Sequence, residues 1–125
     1  MGIEHCYDSR MTPGDLLARI TAGTAPAILD VRSRREFARG HVPGARRVSF
    51  WTIINPMRRA PLPGLDHPAR PAAGTHDDPG VVVYCELGPR AWLAGAALRR
   101  RGFRRIQYLD GHMFRWRRTR LRVER

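Results

Sequence analysis

Apolar residues recur along this chain in two rhythms. Leu16, Leu17 and Ile20 fall on one side of a helical repeat, and Thr12-Pro13-Gly14-Asp15 ahead of them forms a helix start. Thr12 can cap the first turn, Pro13 has no N–H to leave unpaired, and Asp15 suits the positive end of the helix dipole. Gly23 marks the stop. Ala27-Ile28-Leu29 is a continuous apolar run that leads into Asp30, Val31 and Arg32, and it predicts a buried strand with polar residues at its carboxyl end. Ser33 to Arg39 can make one or two helical turns closed by Gly40, and Ala45 to Phe50 predicts a second strand. Val81-Val82-Val83-Tyr84 is the clearest strand, β-branched and unbroken, as expected for a strand covered on both faces. Arg90 to Arg101 predicts a helix with Leu93, Ala94, Ala97 and Leu98 inward and Gly102 at its end; Ile106-Gln107-Tyr108-Leu109 predicts a last strand before Asp110-Gly111.

Strands alternating with helices predict an α/β fold with a mainly parallel sheet, whose chemistry gathers at the carboxyl ends of the strands. Between Trp51 and Gly80 fall six of the ten prolines, which forbids a long helix or a central strand there. That segment reads as a surface connection with a short helix at Trp51 to Met57. At 125 residues the chain suits a single domain with one real core. No apolar stretch approaches the ~20 residues of a membrane span. Met1 to Arg10 carries acids and lacks an apolar centre, so it does not read as a secretory signal. Two cysteines, Cys6 and Cys85, cannot form a disulfide scaffold, and the expected setting is cytoplasmic and reducing.

Charge alters this picture mainly at one end. The formal net charge is +12, and every basic residue is arginine. Eleven of the 23 arginines lie between Arg99 and Arg125, against only Asp110 and Glu124, so the rest of the chain is nearly balanced. Such a field can attract nucleic acid, an anionic membrane surface or a small anionic substrate, and of these no membrane partner is expected here. The absence of lysine points to a compositional bias rather than a choice of guanidinium at each site.

Candidate chemistry sits in Cys85-Glu86-Leu87-Gly88-Pro89-Arg90, between the clearest strand and a helix. This arrangement places a thiol at a helix N-terminus, where backbone N–H groups favour an anion and hence the nucleophilic thiolate. Arg90 can add a positive fork for anionic oxygens, and Gly88 lets the backbone curl. The competing reading is a small apolar cysteine that finishes a core strand.

Four segments in order resemble the single-domain rhodanese, or thiosulfate sulfurtransferase, family over about Met11 to Trp116. They are Ile28 to Phe37, with its Asp30-Val31-Arg32; the turn Gly40-His41-Val42-Pro43-Gly44-Ala45; Val81 to Ala91; and Gly111-His112-Met113-Phe114-Arg115-Trp116. The resemblance implies a five-stranded, mainly parallel sheet with helices on both faces, a core at about 11–116 and a basic tail at 117–125. It also implies that Cys85 accepts a sulfane sulfur from thiosulfate or a similar anionic donor and passes it to cyanide or a thiol, without metal or cofactor. Four residues separate Cys85 from Arg90, one fewer than in the related phosphatases and arsenate reductases of this fold, which favours sulfur. Alternatives are a non-catalytic rhodanese-like binding module and, behind it, arsenate reductase or phosphatase activity. The chain departs from the family pattern at Pro89, which removes one N–H from the loop, at Glu86, which adds a negative charge, and at Ala91 and His112, which stand for a common serine and a glycine.

Asp30 and Arg32 either support the loop or form a structural ion pair. Glu36 and His41 are expected to lock the segment from Asp30 to Gly44, and His112 to be an exposed polar residue at a helix start. Trp116 belongs to the core by the resemblance. His5, His67 and His76 lack metal-ligand spacing, so no metal site is expected. The arginines of the tail can dock an acidic sulfur-acceptor protein or RNA, but a solvated tail is the plainer expectation.

Overall fold

The computed structural model describes residues 9–55, 57 and 80–125, and in them the apolar runs become the strands of one sheet. In chain order the elements are β1 (Ser9–Met11), α1 (Pro13–Ala22), β2 (Ala27–Asp30), α2 (Arg34–Arg39), β3 (Arg46–Arg47), α3 (Phe50–Ile54), β4 (Val81–Tyr84), α4 (Pro89–Arg100), β5 (Ile106–Leu109) and α5 (His112–Arg118). The strands pair in the order β1-β5-β4-β2-β3, all parallel. β4 is thus central, and all four of its residues are buried.

Alternation along the central strands divides the core in two. Leu29, Val81, Val83, Ile106 and Tyr108 face α3 and α4, meeting Ile53, Ala91, Ala94, Ala97 and Leu98. Ile28, Val82, Tyr84 and Leu109 face the other way, onto Leu16 of α1 and Met113 and Trp116 of α5, with Phe37 of α2 at the edge. Each fully buried aliphatic side chain in these layers contributes roughly 1.5–3 kcal/mol. Helices therefore cover both faces, as expected.

Helix starts follow the sequence signals. The Thr12 side chain accepts from the Asp15 N–H (3.1 Å), and Gly23 takes a left-handed conformation at the end of α1. α2 opens with a capping box, in which Ser33 and Glu36 each receive the other's backbone N–H. At Gly95 the fold needs a bare backbone: a Cβ there would lie 1.9 Å from the Tyr108 hydroxyl of β5.

Several expectations change. The strand read at Ala45 to Phe50 is only Arg46–Arg47, because it lies at the sheet edge. After the Val48 N–H bonds to the Asp30 carbonyl (3.0 Å), Ser49 starts α3. Leu93 does not face the core but is exposed. The inner face of α4 is set by small residues at 91, 94, 95 and 97 with Leu98, and this lets the helix lie close to the sheet. β1 went unread because three residues with one buried side chain, Met11, leave no pattern. The tail is also not free. His41 and Glu124 exchange backbone hydrogen bonds (2.8 and 2.9 Å), and the Trp116 indole N–H donates to the Arg122 carbonyl (3.0 Å). The connection after α3, apart from Met57, lies outside the described residues, as do His5, Cys6, His67 and His76. Among the described residues no helix is long and apolar enough to cross a membrane.

Candidate active site

Cys85 follows β4 directly, at the carboxyl end of the central strand, and its side chain is 1% exposed. The chain then turns sharply into α4. Its Sγ accepts a hydrogen bond from the Gly88 N–H at 3.0 Å, so the loop curls around the sulfur. Gly88 has φ +137°, where an L side chain rarely sits, and a Cβ on it would come within 3.0 Å of the Trp92 ring. Pro89 is the first residue of α4, where its missing N–H removes no helical bond. Leu87 points outward and is exposed.

The start of α5 holds the other side of the loop. The Met113 and Phe114 N–H groups donate to the carbonyls of Cys85 (3.0 Å) and Glu86 (3.2 Å). These donors at the first turn of α5 thus find acceptors in the loop rather than in their own helix. His112 completes the contact: its Nδ1 accepts from the Cys85 N–H at 3.2 Å. An N–H can donate only to an unprotonated ring nitrogen, so the neutral ring carries its proton on Nε2. Burial, followed by the nearby Arg10, pushes the His112 pKa below its ordinary 6.5 despite Asp110, which favours the neutral form this bond requires. The residue is 4% exposed, not exposed as expected, and it holds φ +56°, a conformation that costs an L residue roughly 1–2 kcal/mol.

Arg90 lies in the first turn of α4, and its guanidinium is engaged by Glu36 of α2 through two parallel bonds, Nη1–Oε1 at 2.9 Å and Nη2–Oε2 at 3.0 Å. The bonds from Arg90 hold the Glu36 carboxyl down to about 2, against the opposing effect of burial, and Ser33 adds to the shift. Glu36 in turn raises the Arg90 pKa, against the opposing effect of burial.

Asp30 and Arg32 form a buried ion pair, 0% and 2% exposed, closed at 2.8 Å, and Arg32 also donates to the Gly40 carbonyl at 2.8 Å. This pair fastens the end of β2 to the turn after α2. Tyr84 holds the same turn by accepting from the Val42 N–H (3.1 Å). Glu86 is held by two arginines: Arg117 of α5 binds both of its oxygens, and Arg32 lies 3.4 Å away. The structure thus gathers Cys85, Glu86, Gly88, Pro89 and Arg90 in one turn, with Asp30 and Arg32 behind it. It adds two roles the sequence did not reveal, Glu36 as the partner of Arg90 and His112 as the acceptor under Cys85. His112 had one visible sign, its place where the resembling family carries glycine. Glu36 had its place in the resembling segment and was expected to lock Asp30 to Gly44, but its pairing with Arg90 lay 54 residues away.

Comparison with known proteins bears on the family and the fold. The rhodanese-like domain family matches residues 12–119. A thiosulfate sulfurtransferase GlpE of Stutzerimonas stutzeri is 30% identical over 110 residues, covering 88% of this chain and 85% of that protein. A sulfurtransferase of Allochromatium vinosum is 29% identical over 89 residues, 71% of this chain and 69% of that protein. Among solved structures, a Rhodopseudomonas palustris protein of unknown function, described as a possible tyrosine phosphatase, superposes with TM-score 0.72 at 24% identity, covering 93% of this chain and 84% of that one. A rhodanese-related protein of Thermoplasma volcanium gives 0.64 at 18% identity, covering 93% and 97%. At these identities the two structures bear on the fold alone. The family match spans both core layers, the loop and the start of α5 that stitches it, and the chain belongs to the rhodanese-like domain family.

Proposed function

We propose that this chain is a sulfurtransferase that carries a sulfane sulfur on Cys85 as a persulfide. The observation that supports it most directly is the Gly88 N–H donated to Cys85 Sγ (3.0 Å) at the N-terminus of α4. A donor N–H and a helix dipole aimed at one sulfur stabilise negative charge there, on the thiolate and then on the persulfide. The Cys85 thiolate attacks the outer sulfur of thiosulfate, the S–S bond of the donor breaks, and sulfite leaves with the electron pair. Cyanide or a thiolate then attacks the outer sulfur of the persulfide, and Cys85 leaves as thiolate. The cycle is ping-pong and uses no cofactor. Arg90, steadied by Glu36, adds positive charge beside the loop, and the arginines from Arg99 onward draw anionic donors or an acidic acceptor protein toward it. A thiol that must stay reduced between turnovers suits the cytoplasm.

Intact-mass spectrometry after incubation with thiosulfate, an organic thiosulfonate or a small persulfide tests this. The expected result is a gain of about 32 Da, the mass of one sulfur, that cyanide removes and that Cys85→Ser abolishes. Failure of all three donors to modify Cys85 would remove the enzyme reading and leave a binding module. Turnover of an aryl phosphate or arsenate without any persulfide would move the assignment to the phosphatase-like branch of the fold.

A further inference from the structure

Carboxylates and guanidiniums around the nucleophile loop pair off one to one. Asp30 takes Arg32, whose Nε donates to both of its oxygens (3.0 and 3.1 Å) and whose Nη2 donates to one of them (2.8 Å). Glu36 takes Arg90 through two parallel bonds. Glu86 takes Arg117 of α5, again with one bond to each oxygen. Three negative charges meet three positive ones, so the set as a whole is neutral.

Glu86 directly follows Cys85. Consecutive Cα atoms are about 3.8 Å apart, so chain geometry alone keeps the Glu86 carboxylate within about 10 Å of the sulfur, roughly the Debye length in 0.1 M salt. Left uncompensated, its charge repels an anionic donor from the loop. Arg32 offers it one contact, Nη1 at 3.4 Å, but that guanidinium already gives its shorter bonds to Asp30 and to the Gly40 carbonyl. Compensation of Glu86 therefore falls on Arg117. Phe114, whose N–H bonds to the Glu86 carbonyl (3.2 Å), and Arg117 stand three residues apart on one face of α5, so this helix meets Glu86 at both its backbone and its side chain.

We infer that Arg117 determines donor specificity: it cancels the Glu86 charge and so admits anionic sulfur donors to the Cys85 loop. The inference rests on the sulfur-transfer reading above and adds no step to it. Arg117 acts through Glu86 rather than on the reacting sulfur. Without it the set keeps one uncompensated negative charge beside the nucleophile, and the repulsion grows with the charge of the donor.

Second-order rates of persulfide formation at low salt test this, with thiosulfate, which carries two negative charges, and with an organic thiosulfonate, which carries one. In Arg117→Gln the thiosulfate rate is expected to fall about fivefold, the effect of one unit charge about 10 Å from a divalent anion in water, and the thiosulfonate rate about twofold. Both losses should shrink in about 1 M salt. Arg117→Lys keeps the charge and should restore most of the rate. Glu86→Gln/Arg117→Gln should recover the wild-type rate although it too lacks the ion pair. Arg118→Gln removes the neighbouring cation, which lies over the Phe114 ring rather than on a carboxylate, and should cost less than Arg117→Gln.

Equal losses with both donors, a double variant as slow as Arg117→Gln, or an Arg118→Gln variant as slow as Arg117→Gln would overturn the inference and leave the persulfide intact. A wild type that loads sulfur from no donor overturns the sulfurtransferase reading and this inference with it. Arg117 is half exposed, and an unchanged melting temperature checks that its variants are folded.

Discussion

The Cys85 backbone N–H and the Nδ1 of His112 are joined by a 3.2 Å hydrogen bond, so a histidine in a left-handed conformation fixes the first residue of the loop from below. Its Nε2 lies 3.3 Å from where a Gly88 Cβ would stand, so the same ring also packs against the turn that points an N–H at the sulfur.

The two roles of His112, backbone strain and hydrogen-bond acceptor, can be separated. Asparagine tolerates positive φ and offers an oxygen in place of Nδ1. His112→Asn should keep most of the persulfide-forming rate. His112→Gly relieves the strain but orphans the Cys85 N–H, and it should slow persulfide formation by about tenfold, the worth of one well-placed bond. Stopped-flow rates with thiosulfate decide between this and a purely steric role, for which His112→Gly would match the wild type.

His112 also predicts a pH dependence of stability. Its pKa in the fold is lowered, so the neutral form is favoured on folding. Its contribution is complete above about 6.5, the ordinary pKa, and is lost as pH falls toward and through the folded value. Between pH 7 and pH 5 the wild type should lose more of its melting temperature than His112→Asn, as read by circular dichroism.

Glu36→Gln leaves a hydrogen-bonding group in place but removes the ion pair with Arg90. With both side chains about a third exposed, solvent screens the pair, and the expected loss at pH 7 is about 1 kcal/mol. The Glu36 pKa is lowered to about 2, so this difference is fully present above about 4.5 and shrinks as pH falls toward 2. Urea denaturation at pH 7 and pH 3 should show the two proteins converging. Persulfide formation should also slow in Glu36→Gln, because Arg90 is no longer held beside the loop.

Gly95→Ala should destabilise the domain by about 1–3 kcal/mol, since its Cβ meets the Tyr108 hydroxyl at 1.9 Å. Tyr108→Phe removes that oxygen but leaves the ring carbon at 2.8 Å, so the double variant should recover part of the loss. Full additivity of the two changes in a double-mutant cycle would refute the contact.

Much of the fold was legible because its signals are local. Val81–Tyr84 and Ala27–Asp30 had to be strands covered on both faces, and capping at Thr12 and Ser33 is written within four residues. The position of Cys85, at a strand end before a helix, was equally plain. Less visible were β1, β3 and the outward turn of Leu93, where short edges and small inner residues leave the hydrophobic rhythm ambiguous.

Local patterning thus determined the alternation of strand and helix, the parallel sheet, and a thiol at the mouth of a helix. Only the tertiary structure decided what surrounds that thiol. Arg90 meets Glu36 and Arg117 meets Glu86 because parallel strands carry the ends of α2, α4 and α5 to one edge of the sheet. His112 is buried because α5 begins directly under the loop, and a ring that would face solvent on an isolated helix here fills the space beneath Cys85. The arginine-rich tail turns back on His41 because its backbone finds hydrogen bonds there, and Leu121, Val123 and Arg125 come to line a cavity with Glu86. Pairings across 27 to 54 residues depend on where the chain is brought together, and no window of sequence contains both partners.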